Sequence, residues 1–412
     1  MINRRQMMAA GGAGLALASS PAWAAAPDLS SITDNVPRID RAERTARIFK
    51  AQALMRANSI GAILIEPGSS LDYFTGVKWW RSERLTCAVI PVEGTPCIVT
   101  PFFEEPSIRE TLDVPAEVRV WQEDESPISA VATFLKSRRL SERSVGIEET
   151  VRFFASDGLA HALPGAKLVS ANPVVRGCRM IKTPAEIALM QAASDVTVRA
   201  IDHAVARTQP GMTPADITAL IVAATKALGG EADGALVLLG MASAYPHGSH
   251  QTQHVVKNEI ILIDCGCSVG GYQSDISRTF VLGGATGEQR KVFDQVQQGQ
   301  RIAFNAAKLD AAAGSIDDAV RTRYESWGYG PRYKLPGTPH RTGHGIGMDG
   351  HEPVNLVHGE TTRLAAGMCF SNEPGIYTPG KFGVRIEDCF HMTGTGPKWF
   401  SEPQQSIEYP AS

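Results

Sequence analysis

The sequence predicts two domains in series, an α/β domain over residues 40–175 and an α+β domain over residues 183–412. Three observations predict this. Residues 40–175 alternate a helical period with short apolar strands, the signature of an α/β layer. Thr183-Pro184-Ala185-Glu186 then sets an N-cap, a first-turn proline and a capping glutamate in order, so a new helix starts there. Beyond it, long helical patterns are interleaved with strand pairs rich in Ile, Val and Phe.

In the leading domain, Asp40–Asn58 reads as a helix, with Ile48, Ala51 and Met55 on one face. Residues 61–66 (GAILIE) form a short apolar strand. Cys87–Pro91 and Cys97–Thr100 are two more, joined by a turn around Glu93-Gly94. In the second domain, Thr213-Pro214-Ala215-Asp216 repeats the capping device, and Gly229-Gly230 closes that helix. A long helix is expected over Gly287–Leu309 and a shorter one from about Ser315.

The composition excludes several classes. With 412 residues, 43% of them hydrophobic, and a net charge of -3, the chain has the apolar content of a folded protein and not of a disordered one. The near-neutral charge argues against a broadly basic nucleic-acid binder. Cys87, Cys97, Cys178, Cys265, Cys267, Cys369 and Cys389 match no zinc spacing, and an odd number leaves at least one thiol free. Most of them read as buried thiols.

Residues 1–26 read as an export signal. Arg4 and Arg5 precede an Ala/Gly/Leu stretch, and Ala22-Trp23-Ala24 offers a small-x-small cleavage pattern. The apolar run is shorter than the ~20 residues of a membrane span. Paired arginines before a mild, glycine-rich stretch resemble a twin-arginine signal. Met7 stands where that pattern usually has Phe, so the ordinary secretory route stays open. The expectation is a periplasmic or secreted protein with no membrane span.

The chemistry is concentrated in two hairpins. In the first, the run Ile260-Ile261-Leu262-Ile263 ends in Asp264, and the chain turns at Ser268–Gly271. If Val269 and Gly270 are the loop residues, Asp264 lies directly across from Asp275. In the second, a turn centred on Gly380 sets Glu373 across from Glu387. Opposed residues have Cβ atoms about 4.5–5.5 Å apart, and like charges so placed destabilise a sheet. Four carboxylates brought together would raise one another's pKa values, and two divalent cations would cancel their charge. Four histidines accompany them: His247, His340, His344 and His351. Glycines flank His344 in Gly343-His344-Gly345-Ile346-Gly347, as around a crowded, buried ligand.

The order Asp264, Asp275, His344, Glu373, Glu387 resembles the five-ligand signature of the prolidase, Xaa-Pro aminopeptidase and methionine aminopeptidase superfamily. The strings that carry the resemblance are Pro246-His247-Gly248, LIDCG at 262–266, SDISRTF at 274–280, HRTGHGIG at 340–347, His351-Glu352, NEPGIY at 372–377 and GVRIED at 383–388. MIKTPAEIALM at 180–190 is similar to the start of the catalytic domain in the proline-specific branch. The resemblance implies a creatinase-like leading domain before a pita-bread catalytic domain, in a homodimer that cleaves proline-containing peptides. It implies that Asp264 chelates one metal and Asp275 bridges both, that His344 and Glu373 hold the second, and that Glu387 bridges. Mn²⁺ suits that donor set, with Co²⁺ or Zn²⁺ as alternatives. The implied reaction is attack on the Xaa-Pro bond by a metal-bridging hydroxide. Glu373 would shuttle a proton, and His247 and His351 would bind substrate and stabilise the transition state. His340 would contact substrate, and Arg385 would orient Glu387, bind a substrate carboxylate or form a plain ion pair.

The subclass stays open in the sequence. A dipeptidase must capture a free carboxylate after proline, whereas an aminopeptidase leaves that end open. Trp79 or Trp80 could stack on a proline ring and Arg81 or Arg84 could bind a carboxylate, or the loop could be plain surface. A non-peptidase hydrolase or lyase on the same site is the alternative activity. A dimethylsulfoniopropionate lyase related to this superfamily has an acidic residue where Gly266 stands, which counts against that reading.

Overall fold

The computed structural model describes residues 28–408, so the expected export signal lies outside the described residues. Helix α1 (Arg41–Ala57) starts at Asp40, whose side chain accepts from the Glu43 amide, and it buries Ile48, Ala51 and Met55 as expected. There follow β1 (Ile60–Ile65), α2 (Ser69–Thr75), β2 (Cys87–Pro91), β3 (Cys97–Pro101), α3 (Glu105–Thr111) and β4 (Glu117–Trp121). The leading domain is completed by α4 (Pro127–Ser137), β5 (Ser144–Ile147), α5 (Phe153–Ala162), β6 (Leu168–Ser170) and α6 (Asn172–Arg179).

These strands form one sheet in the order β4-β3-β2-β1-β5-β6. The pairs β1–β2 and β2–β3 are antiparallel, and the other neighbours are parallel. Strand β1 is buried throughout because its residues point alternately to two covered faces. Ile63 and Ile65 pack with α1, α2 and α6, while Ala62 and Leu64 pack with α4 and α5. Val174, Val175 and Cys178 of α6 share this core, so the packing of the leading domain continues past residue 175.

Helices α7 (Pro184–Val205) and α8 (Pro214–Ala227) both begin in capping boxes, Thr183 with Glu186 and Thr213 with Asp216. The chain continues through β7 (Glu231–Ala232), β8 (Leu236–Leu239), β9 (Ile260–Cys265), β10 (Cys267–Val269), β11 (Tyr272–Gln273) and β12 (Ile276–Val281). Helix α9 (Gly287–Ala306) stops short of the expected Leu309, and α10 (Gly314–Ser326) follows. Last come β13 (Gly343–Gly345), β14 (Glu352–Leu356), β15 (Cys369–Asn372), β16 (Gly375–Thr378), β17 (Phe382–Arg385), β18 (Asp388–Thr393) and β19 (Gly396–Trp399).

Strand β9 repeats the two-faced logic. Ile261 and Ile263 pack with α7 and α8, and Ile260 and Leu262 pack with α9 and α10. The second domain is therefore a strand layer between two helix pairs. All seven cysteines are buried free thiols.

The second hairpin has the expected register: Thr378 pairs with Phe382, Gly375 with Arg385, and Asn372 with Asp388. Glu373 and Glu387 lie between those matched ladders and so face each other. The first hairpin differs from expectation. Val269 pairs with Tyr272, so the loop residues are Gly270 and Gly271, at φ +58° and +84°. A two-residue turn with both φ values positive takes glycine readily and excludes the β-branched Val269. Asp264 consequently faces Ser277, and Asp275 is its diagonal neighbour instead of its opposite. A backbone bridge then ties the hairpins together. The Glu387 amide donates to the Ser277 carbonyl at 3.1 Å, and the Ser277 amide to the Glu387 carbonyl at 3.3 Å.

Candidate metal centre

That bridge brings the acids into one cluster. Donor atoms of Asp264, Asp275 and Glu387 lie within 4.8 Å of one another, as do those of His344, Glu373 and Glu387. Glu387 and His344 are buried, and Asp264, Asp275 and Glu373 are half-buried. Burial pushes Asp275 well above the usual carboxylate range, with Asp264 and Glu373 adding to the rise. Burial does the same to Glu387, reinforced by Asp275, Glu373 and Asp264. Glu373 is pushed up to about 7, mainly by burial, although the Arg385 charge opposes the rise.

The donor set fits a cation on two structural grounds. Ser277 Oγ donates to Glu387 Oε2 at 2.7 Å, whereas the buried Oε1 has no hydrogen-bond partner. Unpartnered buried carboxylate oxygen is rare without something positive beside it. The second ground is His344. Its Nδ1 is 3.0 Å from the Gly345 carbonyl, which can only accept, so Nδ1 carries the proton. Burial, then the His351 charge, pushes this imidazole down to about 3, so Nε2 is a bare acceptor. It points at Glu373 Oε1, 3.4 Å away, and Asp275 Oδ2, 3.6 Å away. Three such groups converging on one point need either protons on the acids or a cation between them, and the imidazole-carboxylate donor set suits a cation.

The glycines around His344 have the expected reason. A Cβ at Gly343 would sit 2.2 Å from the Ser371 carbonyl oxygen, and one at Gly345 would sit 2.7 Å from that of Glu352. Neighbouring strands approach too closely for any side chain.

The other expected site residues fall around this centre. The exposed His351 ring packs edge-on to His344, with centroids 4.0 Å apart, and its donor atom lies within 4.8 Å of Asp275 and His344. His247 is exposed, in the turn after the Gly240–Ala244 3₁₀ helix, close enough that its charge bears on His340 and His351. His340 Nδ1 donates to the Arg341 carbonyl at 2.8 Å, and Nε2 meets the Tyr377 hydroxyl at 3.1 Å. Arg385 is buried and bonds Asp264 through Nη2, not Glu387 directly. Its Nε donates to Ser277 Oγ at 3.0 Å, and its Nη1 to Tyr377 Oη at 3.1 Å and to the Pro246 carbonyl at 3.2 Å. Through Ser277 it also steadies Glu387. Arg385 is thus ion-paired, one of the roles expected of it, and it reaches Glu387 only through Ser277, while His340 is held by Tyr377 and the Arg341 carbonyl beside the acids. Sequence reasoning missed Ser277, Tyr377 and Arg341, although all three sit inside strings it quoted.

Fold and site together define a two-domain, metal-dependent hydrolase. Residues 188–394 match metallopeptidase family M24, and residues 47–181 match the creatinase/prolidase N-terminal domain. The chain belongs to metallopeptidase family M24, and its second domain has the pita-bread fold. It is 30% identical over 362 residues to the Xaa-Pro dipeptidase of Lactobacillus helveticus, covering 87% of this chain and 96% of that one. The crystal structure of dipeptidase PepE from Mycobacterium ulcerans superposes with a TM-score of 0.80 at 32% identity, over 90% of this chain and 98% of that one. Recombinant prolidase from Thermococcus sibiricus also gives 0.80, at 28% identity over 88% and 98% of the two chains.

Proposed function

We propose that the chain hydrolyses the Xaa-Pro bond, in Xaa-Pro dipeptides or at the N-terminus of longer peptides, with two divalent cations. The observation that carries this is the convergence of Asp264, Asp275, His344, Glu373 and Glu387 in overlapping groups of three. The substrate class is supported by relatives named Xaa-Pro dipeptidase and prolidase. Four carboxylates with one imidazole favour Mn²⁺, with Co²⁺ or Zn²⁺ as alternatives.

When bound, the ions supply Lewis acidity toward the scissile carbonyl and acidify the attacking water. Arg385 and Ser277 fix Asp264 and Glu387 in place. Glu373 points Oε1 toward His344 and Oε2 toward His340, 3.8 Å from its Nδ1. One oxygen is thereby suited to the cation and the other to passing a proton to the leaving nitrogen. On this reading His351, packed edge-on to His344, stabilises charge on the carbonyl oxygen, and His247 binds substrate.

The lyase alternative is disfavoured by Gly266. A Cβ there would lie 2.0 Å from the Ser274 carbonyl oxygen, so the backbone has no room for an acidic side chain. Export to the periplasm or beyond, and a homodimer, remain part of the proposal on the strength of the N-terminal pattern and the resemblance alone. The test is purified protein with Mn²⁺ against Ala-Pro, Ala-Pro-Ala, Ala-Ala and dimethylsulfoniopropionate. Cleavage confined to Xaa-Pro bonds is expected, and cleavage of none of them refutes the reading.

A further inference from the structure

His351 stands at the end of the loop between β13 and β14, and the acids on either side of it are held by one guanidinium from the leading domain. Asp349 lies two residues before His351, and Glu352 follows it. Arg179, the last residue of α6, donates through Nη2 to Asp349 Oδ2 at 2.8 Å and to Glu352 Oε1 at 2.5 Å. Through Nη1 it donates to Ser69 Oγ and Ser70 Oγ, each at 2.9 Å. Those serines open α2, so one side of the fork is fixed on the leading domain and the other on the second domain.

Glu352 also shapes the loop. Its Oε1 accepts from the Met348 amide at 3.0 Å and the Asp349 amide at 3.2 Å, and its Oε2 accepts from Lys182 Nζ at 3.0 Å. The carboxylate packs against Gly347, where a Cβ would lie 2.7 Å from Oε1. Burial alone would raise this acid, but Lys182 and Arg179 hold it down to about 2, so both oxygens stay acceptors. The start of the loop is tied as well: the Gln273 amide of β11 donates to the Gly347 carbonyl at 2.8 Å. The His351 ring is exposed, so its place against His344 depends on where the loop holds its backbone.

We infer that Arg179 is a positioning residue for His351: by gripping Asp349 and Glu352 it lets the leading domain place that histidine against the metal centre. This rests on the role given to His351 in the Xaa-Pro reading above. Taking Glu352, Arg179 and Lys182 out of water offsets much of their mutual attraction, so the network contributes little net stability and much geometry. The planar fork suits the task, because Nη1 and Nη2 reach the two domains at once, which a point charge cannot do. The leading domain supplies none of the grouped metal donors. Through Arg179 it nonetheless sets the geometry of a group that acts on the substrate.

The test is a double-mutant cycle between Arg179→Met and His351→Ala on the Mn²⁺-loaded protein, with Ala-Pro as substrate. Arg179→Met should lower kcat by about 10- to 100-fold, the scale of a misplaced catalytic group, with KM and metal content unchanged. In the His351→Ala background it should cost nothing further. Arg179→Lys should recover part of the loss. Ser69→Ala combined with Ser70→Ala frees the leading-domain side without stranding a charge, so it should lower kcat in the same direction and decides the matter if Arg179→Met does not fold. In metal-free protein, Arg179→Met should also move the His351 imidazole resonance, assigned by its absence from His351→Ala, and leave that of the exposed His161 in place. Equal losses in both backgrounds would mark Arg179 as purely structural and overturn the inference, as would an unchanged kcat or an unmoved His351 resonance. If the wild type cleaves Ala-Ala but not Ala-Pro, the Xaa-Pro reading falls, and the same cycle read on Ala-Ala still decides the role of Arg179.

Discussion

Ser277 Oγ donates to Glu387 Oε2 at 2.7 Å, and this bond determines which oxygen of Glu387 is left for a cation. Oε1 stays buried and unpartnered, facing the remaining acids. Arg385 Nε holds the same hydroxyl, so one serine links the guanidinium, Asp264 and Glu387 into one frame. Partners behind a metal ligand set its orientation, and losing one typically weakens metal affinity by about 10- to 100-fold. Ser277→Ala should therefore keep the fold and lose Mn²⁺ affinity on that scale, as read by metal titration. Unchanged affinity would mean that the Ser277 bond does not orient the ligand.

Removing one of the proposed ligands should be more severe. Asp264→Ala or Glu373→Ala should abolish peptidase activity and lower metal content per chain, measured by elemental analysis after desalting. An unchanged rate in either variant would remove the dinuclear assignment.

His351 is exposed and packs on His344, so its loss should leave the acids in place. His351→Ala is expected to cut turnover about 10²-fold with metal content retained. Loss of metal in that variant would show His351 to be a ligand, a role its closeness to Asp275 and His344 makes worth measuring.

The acids also set a pH dependence for the metal-free protein. Glu373 is raised to about 7 in the folded state, and Asp275 and Glu387 are raised too. The folded chain then holds protons that the unfolded chain has already released above the ordinary carboxylate range. This contribution to stability is fully present below that range and is lost as pH rises toward and through 7. The metal-free melting temperature should fall between about pH 5 and pH 7, and the metal-loaded protein should lack that fall. Metal uptake at pH 6 should release protons, detectable in weak buffer. A metal-free melting temperature that is flat over this range would contradict the shared burial of the acids.

Much of the fold was legible because local signals agreed. The capping boxes at Thr183 and Thr213 and the turn at Gly380 are short-range chemistry, and the structure follows them. The first hairpin was misread by one residue because two glycines stood in a row and only the pair at positive φ could close the turn. Asp264 still meets Asp275, but diagonally and through the Glu387 side. The bridge from Ser277 to Glu387 joins strands remote in sequence, and no spacing encodes it. For Arg385 the sequence leaves an ion pair, an orienting role and a substrate contact open, and only the fold shows its bonds to Ser277, Tyr377 and Asp264.

The central claim is metal-dependent cleavage of the Xaa-Pro bond at the convergence of Asp264, Asp275, His344, Glu373 and Glu387. Its most direct test is the rate of Ala-Pro hydrolysis by protein stripped of metal and then titrated with Mn²⁺. The expected result is no hydrolysis without metal and full rate at two ions per chain. Hydrolysis that persists without metal, or Ala-Pro left intact at saturating Mn²⁺, would contradict it.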